Sequence, residues 1–362
     1  MPGRAQSDPT LRSLASQLGF VIGAGANDPT ELDDPTYASI AASQYNAIEP
    51  GNVMKMNVLE PSQGTFSFSQ ADAVVAFAQA HSQNVTATAP IWDGNPSLDY
   101  GGSDPTWLLN GSFTSTELEN ILQTYVTTVM QHYHTNYPGV VNRWAVVSEA
   151  VHLCRVFCKG LGNDSAGFPA YISLAYQYAR AADPTVQLCY DDWGGEGISS
   201  TYSTSIYNLV AHLKSQGLID CVGLEGQWEG GPISAIPTTS SIVSNINRLG
   251  ALGLTVYFSQ VEIGIPSSNC TTSSNSSDLS DQGVEYSSLL SACLSTSACT
   301  AFYTWGITDK YAYCFAQGYG APLPYDLDYN PKPAFSALQS ALSSGVSSAK
   351  PHPPTQLAVV TH

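Results

Sequence analysis

Two kinds of apolar pattern alternate along the chain. Short apolar runs predict strands, and the longer stretches between them, whose apolar residues recur every three or four positions, predict helices. The predicted strands are residues 19–24, 47–50, 85–92, 141–148, 187–191, 221–225, 255–262 and 301–306. The predicted helices include residues 70–81, 115–134, 166–182, 201–216, 239–252 and 284–294. This alternation is typical of βα units, so we predict an α/β protein whose strands close a single (β/α)8 TIM barrel.

Low-complexity sequence is confined to two stretches. Residues 267–280 are predicted to form a polar loop after the seventh strand, and residues 343–362 have the composition of a linker. We therefore expect an N-terminal extension over residues 1–9, one barrel domain over residues 10–345, and a flexible tail over residues 346–362. Neither an internal repeat nor a second domain is visible in the sequence.

The charge balance excludes one class of partner. The chain has 12 Lys and Arg against 29 Asp and Glu, a formal net charge of −17, and it carries no basic stripe of the kind that binds nucleic acid. A hydrophobic content of 43% is too high for a disordered chain. Because no run of 18 or more apolar residues occurs, we expect a soluble mature form without a membrane partner.

The cysteines and glycosylation sequons favour a secreted, extracellular protein. The eight cysteines are an even number, and the close spacings of Cys154 with Cys158 and of Cys293 with Cys299 suit short-loop disulfides. The alternative is a set of buried thiols in a cytosolic protein. Neither pair has the His spacing of a zinc site, so no metal is expected. Asn-X-Ser/Thr sequons begin at Asn84, Asn110, Asn163, Asn269 and Asn275.

Carboxyl and amide side chains lie at the ends of the fourth and seventh predicted strands. In a barrel of this kind the active site lies at the carboxyl ends of the strands. Glu149 ends the fourth strand, and the two-residue period of a strand puts Gln260 and Glu262 on one face of the seventh. A carboxylate pair about 5 Å apart is the arrangement that a retaining glycosidase uses.

Several motifs resemble the family-10 glycoside hydrolases, whose best-known members are endo-β-1,4-xylanases. The block Trp-Ala-Val-Val-Ser-Glu-Ala over residues 144–150 is similar to the family's Trp-Asp-Val-Val-Asn-Glu-Ala, whose Glu is the acid/base. The resemblance spans roughly residues 10–342. The other matching blocks are residues 52–56 and 60–72 after the second strand, 220–227 at the sixth, and 305–310 at the last, together with the spacing of Cys293 and Cys299.

Position 260 departs from the family in a way that bears directly on the chemistry. Ser-Gln-Val-Glu-Ile over residues 259–263 is similar to the family's Thr-Glu-Leu-Asp-Ile, whose Glu is the nucleophile, so Gln260 stands at the nucleophile's place. A neutral amide cannot attack an anomeric carbon. Three interpretations follow: an engineered Glu→Gln substitution, which we favour, a naturally inactive carbohydrate-binding protein, or a shifted register in which Glu262 attacks. Otherwise Glu262 replaces the family's supporting Asp and orients its neighbour.

Other positions along the implied cleft also differ from the family pattern. Gly51 replaces the Glu that usually precedes Asn52, and in the third-strand block only Trp92 is retained. Several replacements shorten side chains beside the scissile bond, so we expect a sugar other than xylose there, such as a hexose. We favour tomatinase-like removal of sugars from a plant saponin, with an ordinary endo-1,4-β-xylanase as the alternative. The altered positions are Thr88, Asp93, Ser148, Glu225, Gln227 and Tyr313.

The resemblance also implies a role for each residue. Glu149 would give a proton to the leaving oxygen while a carboxylate at position 260 attacks the anomeric carbon. We expect a carbohydrate or glycoside substrate, no cofactor and a monomer. Trp92, Trp305 and Tyr313 would stack on sugar faces, Asn52, Lys55, Glu225 and Gln227 would bond sugar hydroxyls, and Thr88, Asp93 and Ser148 would line the same pocket.

Overall fold

Eight parallel strands form a closed ring in the computed structural model, which describes residues 9–26, 28–94, 102–228, 233–267, 275–312 and 318–348. Each strand pairs with the next along the chain, and the last pairs with the first through Val21 and Ala301. The predicted (β/α)8 barrel is confirmed. The strands are β1 (Val21–Gly25), β2 (Ala47–Glu49), β3 (Asn84–Ile91), β4 (Val141–Ser148), β5 (Gln187–Asp192), β6 (Cys221–Leu224), β7 (Thr255–Ile263) and β8 (Cys299–Thr304).

Helices surround the ring and cover its outer face. The longer ones are α1 (Leu11–Leu18), α2 (Pro35–Gln44), α3 (Ser69–Ala80), α4 (Ser115–Asn136), α5 (Ala170–Ala182), α6 (Thr201–Ser215), α7 (Thr239–Gly250), α8 (Ser276–Leu294) and α9 (Pro333–Ser348). Local sequence fixes where they begin. At α4, the Thr114 hydroxyl accepts from the Glu117 amide while the Glu117 carboxylate accepts from the Thr114 amide, 2.8 Å away, which satisfies two otherwise unpaired donors.

The boundaries of two predicted segments are wrong. The loop predicted over residues 267–280 gives way to α8 at Ser276, because Asn275 caps the helix by accepting from the Ser277 amide at 3.0 Å. The tail predicted from residue 346 begins inside α9, whose Val346 packs against the core. The first eight residues and residues 349–362 lie outside the described part of the chain.

The interior of the barrel is partly polar. The Tyr257 hydroxyl donates to Asp191 Oδ1 at 2.7 Å, and the Arg143 guanidinium lies 4.6 Å from the centre of the Tyr257 ring. Gly223 is required beside this pair, because a Cβ there would lie only 1.5 Å from Asp191 Oδ1. Buried charges of this kind need partners close by, and the barrel supplies them from neighbouring strands.

Three disulfides occur in the described residues. The predicted short-loop pairs Cys154–Cys158 and Cys293–Cys299 are confirmed, and a third disulfide, Cys189–Cys221, joins β5 to β6. Among the helices that the structure describes, none is long and apolar enough to cross a membrane. No group of three or more potential metal-binding side chains occurs in the same described ranges.

Candidate active site

Glu149 lies one residue beyond β4 with its backbone held on both sides. Its φ of 54° is in the left-handed region, which a residue other than glycine adopts rarely. The Glu149 amide donates to the Asp191 carbonyl at 2.9 Å, and its own carbonyl accepts from the amides of His152 and Leu153, both at 3.0 Å. These bonds stabilise a sharp turn that places the carboxyl at the mouth of the barrel.

The surroundings of Glu149 favour its protonated form. Burial, followed by the nearby negative charge of Asp192, raises the pKa of Glu149 to about 7, although Trp92, His152 and Lys55 act in the opposite direction. A carboxyl that retains its proton near neutral pH can serve as a general acid. Its geometry and pKa direction therefore support the acid/base role predicted for it.

Gln260 lies on β7 at the same end of the barrel, with only 7% of its surface exposed. Its side-chain oxygen accepts a hydrogen bond from Gln227 Nε2 at 2.8 Å. Two neighbouring amides thus share one edge of the cleft, and neither can carry the negative charge that attack on an anomeric carbon requires. Glu262, two residues further along β7, is fully buried, and its amide donates to the Gly226 carbonyl at 3.2 Å.

Glu225 directly follows β6 and carries a carboxyl that is almost completely buried. It is 1% exposed, and within the described residues neither of its carboxyl oxygens has a hydrogen-bond partner. Burial, and then repulsion by Glu149, raise its pKa well above the usual value. The backbone amide of Gln260 donates to the backbone carbonyl of Glu225 at 3.0 Å, so the two residues are neighbours at the ends of β6 and β7.

Lys55 provides the positive charge of the cleft. Its ammonium lies 4.3 Å from the centre of the Trp92 ring, an attractive cation–π geometry. Burial lowers the pKa of Lys55 to about 8, while attraction to Glu149 and Glu225 raises it. Asn52, in the turn that precedes Lys55, is exposed, and its carbonyl accepts from the Lys55 amide at 3.2 Å.

Asp93 does not have the environment that was predicted for it. It is buried, and its Oδ1 accepts from the amides of Val156 and Phe157 at 2.8 and 3.0 Å, while its Oδ2 accepts from the amides of Arg155 and Cys158, both at 2.9 Å. The expectation of a sugar contact is therefore corrected. Asp93 instead joins the end of β3 to the first turn of the short helix Val156–Leu161.

The remaining predicted residues lie in different surroundings. Thr88 is buried and donates to the carboxyl of Glu49, so its hydroxyl faces a protein partner in place of the predicted sugar. Ser148, the last residue of β4, is buried, and Trp305, just beyond β8, is 9% exposed. Tyr313 lies outside the described residues.

An aromatic group beside Glu149 was missed from the sequence. His152 stacks on Trp193 with ring centroids 3.8 Å apart, and Tyr202 lies 4.2 Å from the His152 ring. Trp193 and Tyr202 are 40% and 42% exposed, unusual values for large aromatic side chains. Trp193 immediately follows β5, so the rule that active sites lie at the carboxyl ends of barrel strands would have selected it.

A barrel with a carboxyl of raised pKa after β4 and exposed aromatic side chains after β5 has the features of a glycoside hydrolase. The chain belongs to glycosyl hydrolase family 10, whose family model matches residues 10–341. It is 31% identical over 340 residues to endo-1,4-beta-xylanase B of Thermotoga neapolitana, covering 92% of each chain. It is 30% identical over 333 residues to an endo-1,4-beta-xylanase of Agaricus bisporus, covering 91% of this chain and 93% of that one.

A solved structure has the same fold. Xylanase 10B of Thermotoga petrophila RKU-1, in complex with xylobiose, superposes with a TM-score of 0.82 at 29% identity and covers 95% of this chain and 100% of its own. The family resemblance of the sequence motifs is thereby confirmed. The retaining mechanism is general for this family.

Proposed function

We propose that this protein is an endo-1,4-β-xylanase that cleaves internal β-1,4 bonds of xylan. The observation that carries the proposal is the carboxyl of Glu149 directly after β4, whose pKa its surroundings raise to about 7, in a chain whose relatives named above are xylanases. Because these relatives are named as xylanases, xylan is favoured over the saponin that was expected from the altered pocket positions. Under this proposal, the altered positions adjust how a xylan chain binds.

Glu149 acts first as the acid and then as the base. Its proton passes to the glycosidic oxygen as the bond to the anomeric carbon breaks, and it later takes a proton from the water that completes hydrolysis. The Lys55 ammonium, packed against the Trp92 ring, can donate to a sugar hydroxyl. The exposed Trp193 offers a flat apolar face on which a sugar can stack.

The test is product release from β-1,4-xylan by the unaltered protein. Glu149→Gln is the matched control because it preserves the shape of the side chain and removes the transferable proton. We expect short xylo-oligosaccharides from the unaltered protein and a rate lower by about 100- to 10,000-fold in the variant. Cello-oligosaccharides and a saponin such as tomatine complete the panel, and faster cleavage of either would contradict the proposed specificity.

A carbohydrate-binding protein without hydrolytic activity is the second candidate, and the amide at Gln260 favours it. Calorimetric titration with xylohexaose distinguishes the two. Binding without product release, by both the unaltered protein and the Glu149→Gln variant, supports the binding protein. Product release that depends on Glu149 supports the enzyme.

Secretion and a monomeric state belong to the same proposal. The three disulfides of the described residues form most readily in an oxidising compartment. Cell fractionation of the source organism should find the protein in the medium, and light scattering of the purified protein should give the mass of one chain. Retention inside the cell would contradict secretion, and a mass twice that of one chain would contradict the monomeric state.

A further inference from the structure

Two large aromatic side chains are exposed next to each other at the mouth of the barrel. Trp193 directly follows β5, and Tyr202 is the second residue of α6. Among the large apolar side chains of the described residues, only Val284 on α8 is as exposed as these two. Val284 stands alone, whereas neighbouring exposed aromatic rings form a patch, and such a patch is typical of a binding surface.

Local contacts hold Tyr202 against the loop that carries Trp193. The Ser200 hydroxyl caps α6 by accepting from the Ser203 amide at 2.9 Å, and it donates to the Gly194 carbonyl at 2.5 Å. Gly194 has a φ of 72°, and a Cβ there would lie 3.0 Å from the Tyr202 ring. The two rings are therefore already in place before a ligand arrives, which lowers the entropy lost on binding.

His152 connects this aromatic surface to the turn of Glu149. The His152 amide donates to the Glu149 carbonyl, and its Nε2 lies 3.2 Å from the Trp193 carbonyl. The His152 and Trp193 rings are nearly parallel, with 6° between their planes. Because His152 covers one face of the Trp193 ring, the exposed area of that ring lies on its other face and edges. The surface is thus continuous with the site of the acid.

The two exposed rings are close together and inclined to each other. The ring centroids of Trp193 and Tyr202 are 5.5 Å apart, with 51° between the ring planes. Sugar rings pack their apolar C–H faces on aromatic side chains. The spacing of the centroids is comparable to the length of one sugar along a β-1,4-linked chain. Neighbouring aromatic rings can therefore hold neighbouring sugars.

The inclination of the rings distinguishes a twisted sugar chain from a flat one. Each sugar of a β-1,4-xylan chain is rotated relative to the next, because xylose lacks the hydroxymethyl group whose hydrogen bonds help to flatten a cellulose chain. A flat chain stacks best on coplanar rings, whereas a twisted chain stacks best on rings inclined to each other. The angle between Trp193 and Tyr202 therefore fits xylan better than a cello-oligosaccharide.

We propose that Tyr202 is a specificity-determining residue, which binds one sugar of a xylan chain while Trp193 binds the next. This inference rests on the proposed xylan specificity. Tyr202 takes no part in the transfer of the proton from Glu149. It increases the affinity for a chain long enough to span both rings, and it does so more for the twisted xylan chain than for a flat one.

Calorimetry in the Glu149→Gln background tests the proposal without turnover. Adding Tyr202→Ala should weaken xylohexaose binding by about 3- to 10-fold, while Tyr202→Phe, which retains the ring, should bind as the parent does. Loss confined to xylohexaose is the expected result, also where cellohexaose binds neither protein. Equal loss for cellohexaose, or unchanged xylohexaose binding, overturns the proposal. Tyr207→Ala is the matched control, since Tyr207 lies on the same helix but packs against Arg248, and it should not change binding.

Steady-state kinetics separate this inference from the proposed function. Tyr202→Ala alone should raise KM for xylohexaose by the same factor and leave kcat unchanged, whereas a fall in kcat with KM unchanged would contradict a role in binding. If the unaltered protein cleaves xylan but Tyr202→Ala has an unchanged KM, the Tyr202 assignment is wrong while the function stands. If no form binds or cleaves xylohexaose, the proposed function itself fails. Thermal unfolding curves of each variant exclude loss of fold as the cause.

Discussion

The imidazole of His152 lies 3.1 Å from Asp192 Oδ1, and both groups act on the pKa of Glu149. Burial lowers the pKa of His152, but the contact with Asp192 outweighs it, so the net shift is upward. The positive charge of His152 in turn lowers the pKa of Glu149, and the negative charge of Asp192 raises it. These two residues therefore adjust the proton affinity of Glu149 in opposite directions.

The pH dependence of hydrolysis should follow Glu149. Because the acid must be protonated when the glycosidic bond breaks, kcat/KM should fall as pH rises through about 7, the pKa of Glu149. His152→Gln removes a positive charge and leaves Asp192 less neutralised, so this basic limb should move to higher pH. The measurement is kcat/KM between pH 4 and about 9 for both proteins.

His132 offers the matched control for this pH experiment. It also pairs with an aspartate, Asp72 at 2.8 Å, but it lies on α4, outside the barrel mouth. His132→Gln should leave the basic limb where it is. An unchanged limb in His152→Gln would show that His152 does not act on Glu149.

Replacing Asp93 should destabilise the fold. In Asp93→Asn, one acceptor oxygen becomes an NH2 group that faces two of the four backbone amides, and buried donors lose their partner. The free energy of unfolding should fall by about 3 kcal/mol, measured by urea denaturation with the disulfides intact. Asp28→Asn is the control, since Asp28 caps the exposed helix Pro29–Asp33 and Asn caps equally well. A similar loss in both variants would contradict the structural role of Asp93.

Only glycine should fit at position 223, because the Asp191 side chain occupies the space that a Cβ would need. Gly223→Ala places a methyl group 1.5 Å from Asp191 Oδ1, so the interior pair with Tyr257 must shift. We expect a loss of about 1–3 kcal/mol in stability. Gly345→Ala in α9, where the nearest atom is a flexible Leu18 methyl at 3.2 Å, should be neutral or stabilising because alanine favours helix. Equal thermal midpoints for the two variants would disprove the steric argument.

The disulfides should differ in how much they stabilise the fold. Cys189–Cys221 spans 32 residues and Cys293–Cys299 spans 6, and a longer closed loop restricts the unfolded chain more. Replacing the first pair by Ala should cost about 4 kcal/mol and replacing the second about 2 kcal/mol. Denaturant midpoints of the two double variants check this order, and the reverse order would contradict the loop-entropy explanation.

Local pattern was sufficient to predict the strands of the barrel. β4 was predicted at both ends, because its apolar run is bounded by polar residues and a turn. The start of α8 was not predicted, because its serine-rich sequence is typical of a loop. Only the cap formed by Asn275 shows that a helix begins there. The serine-rich end of α9 was misread as a tail for the same reason, as its packing against the core is a tertiary fact.

The site was predictable only where a single strand end carries the chemistry. The position of Glu149 directly after β4 could be predicted from the apolar run before it, while its acid/base role stays a prediction from the family motif. The role of Asp93 could not be predicted, because its four amide partners lie some sixty residues away in sequence. That the Glu225 carboxyl has no hydrogen-bond partner among the described residues likewise depends on the arrangement of several strand ends at once.

The backbone bonds that hold Glu149 in its left-handed turn have a consequence for how this enzyme can diverge. The Glu149 backbone is held by the carbonyl of Asp191 in β5 and by the amides of His152 and Leu153, which any residue except proline supplies. Neighbouring side chains are thus free to change without displacing the Glu149 carboxyl. A lineage with this turn can explore new pocket shapes while the Glu149 carboxyl stays in place.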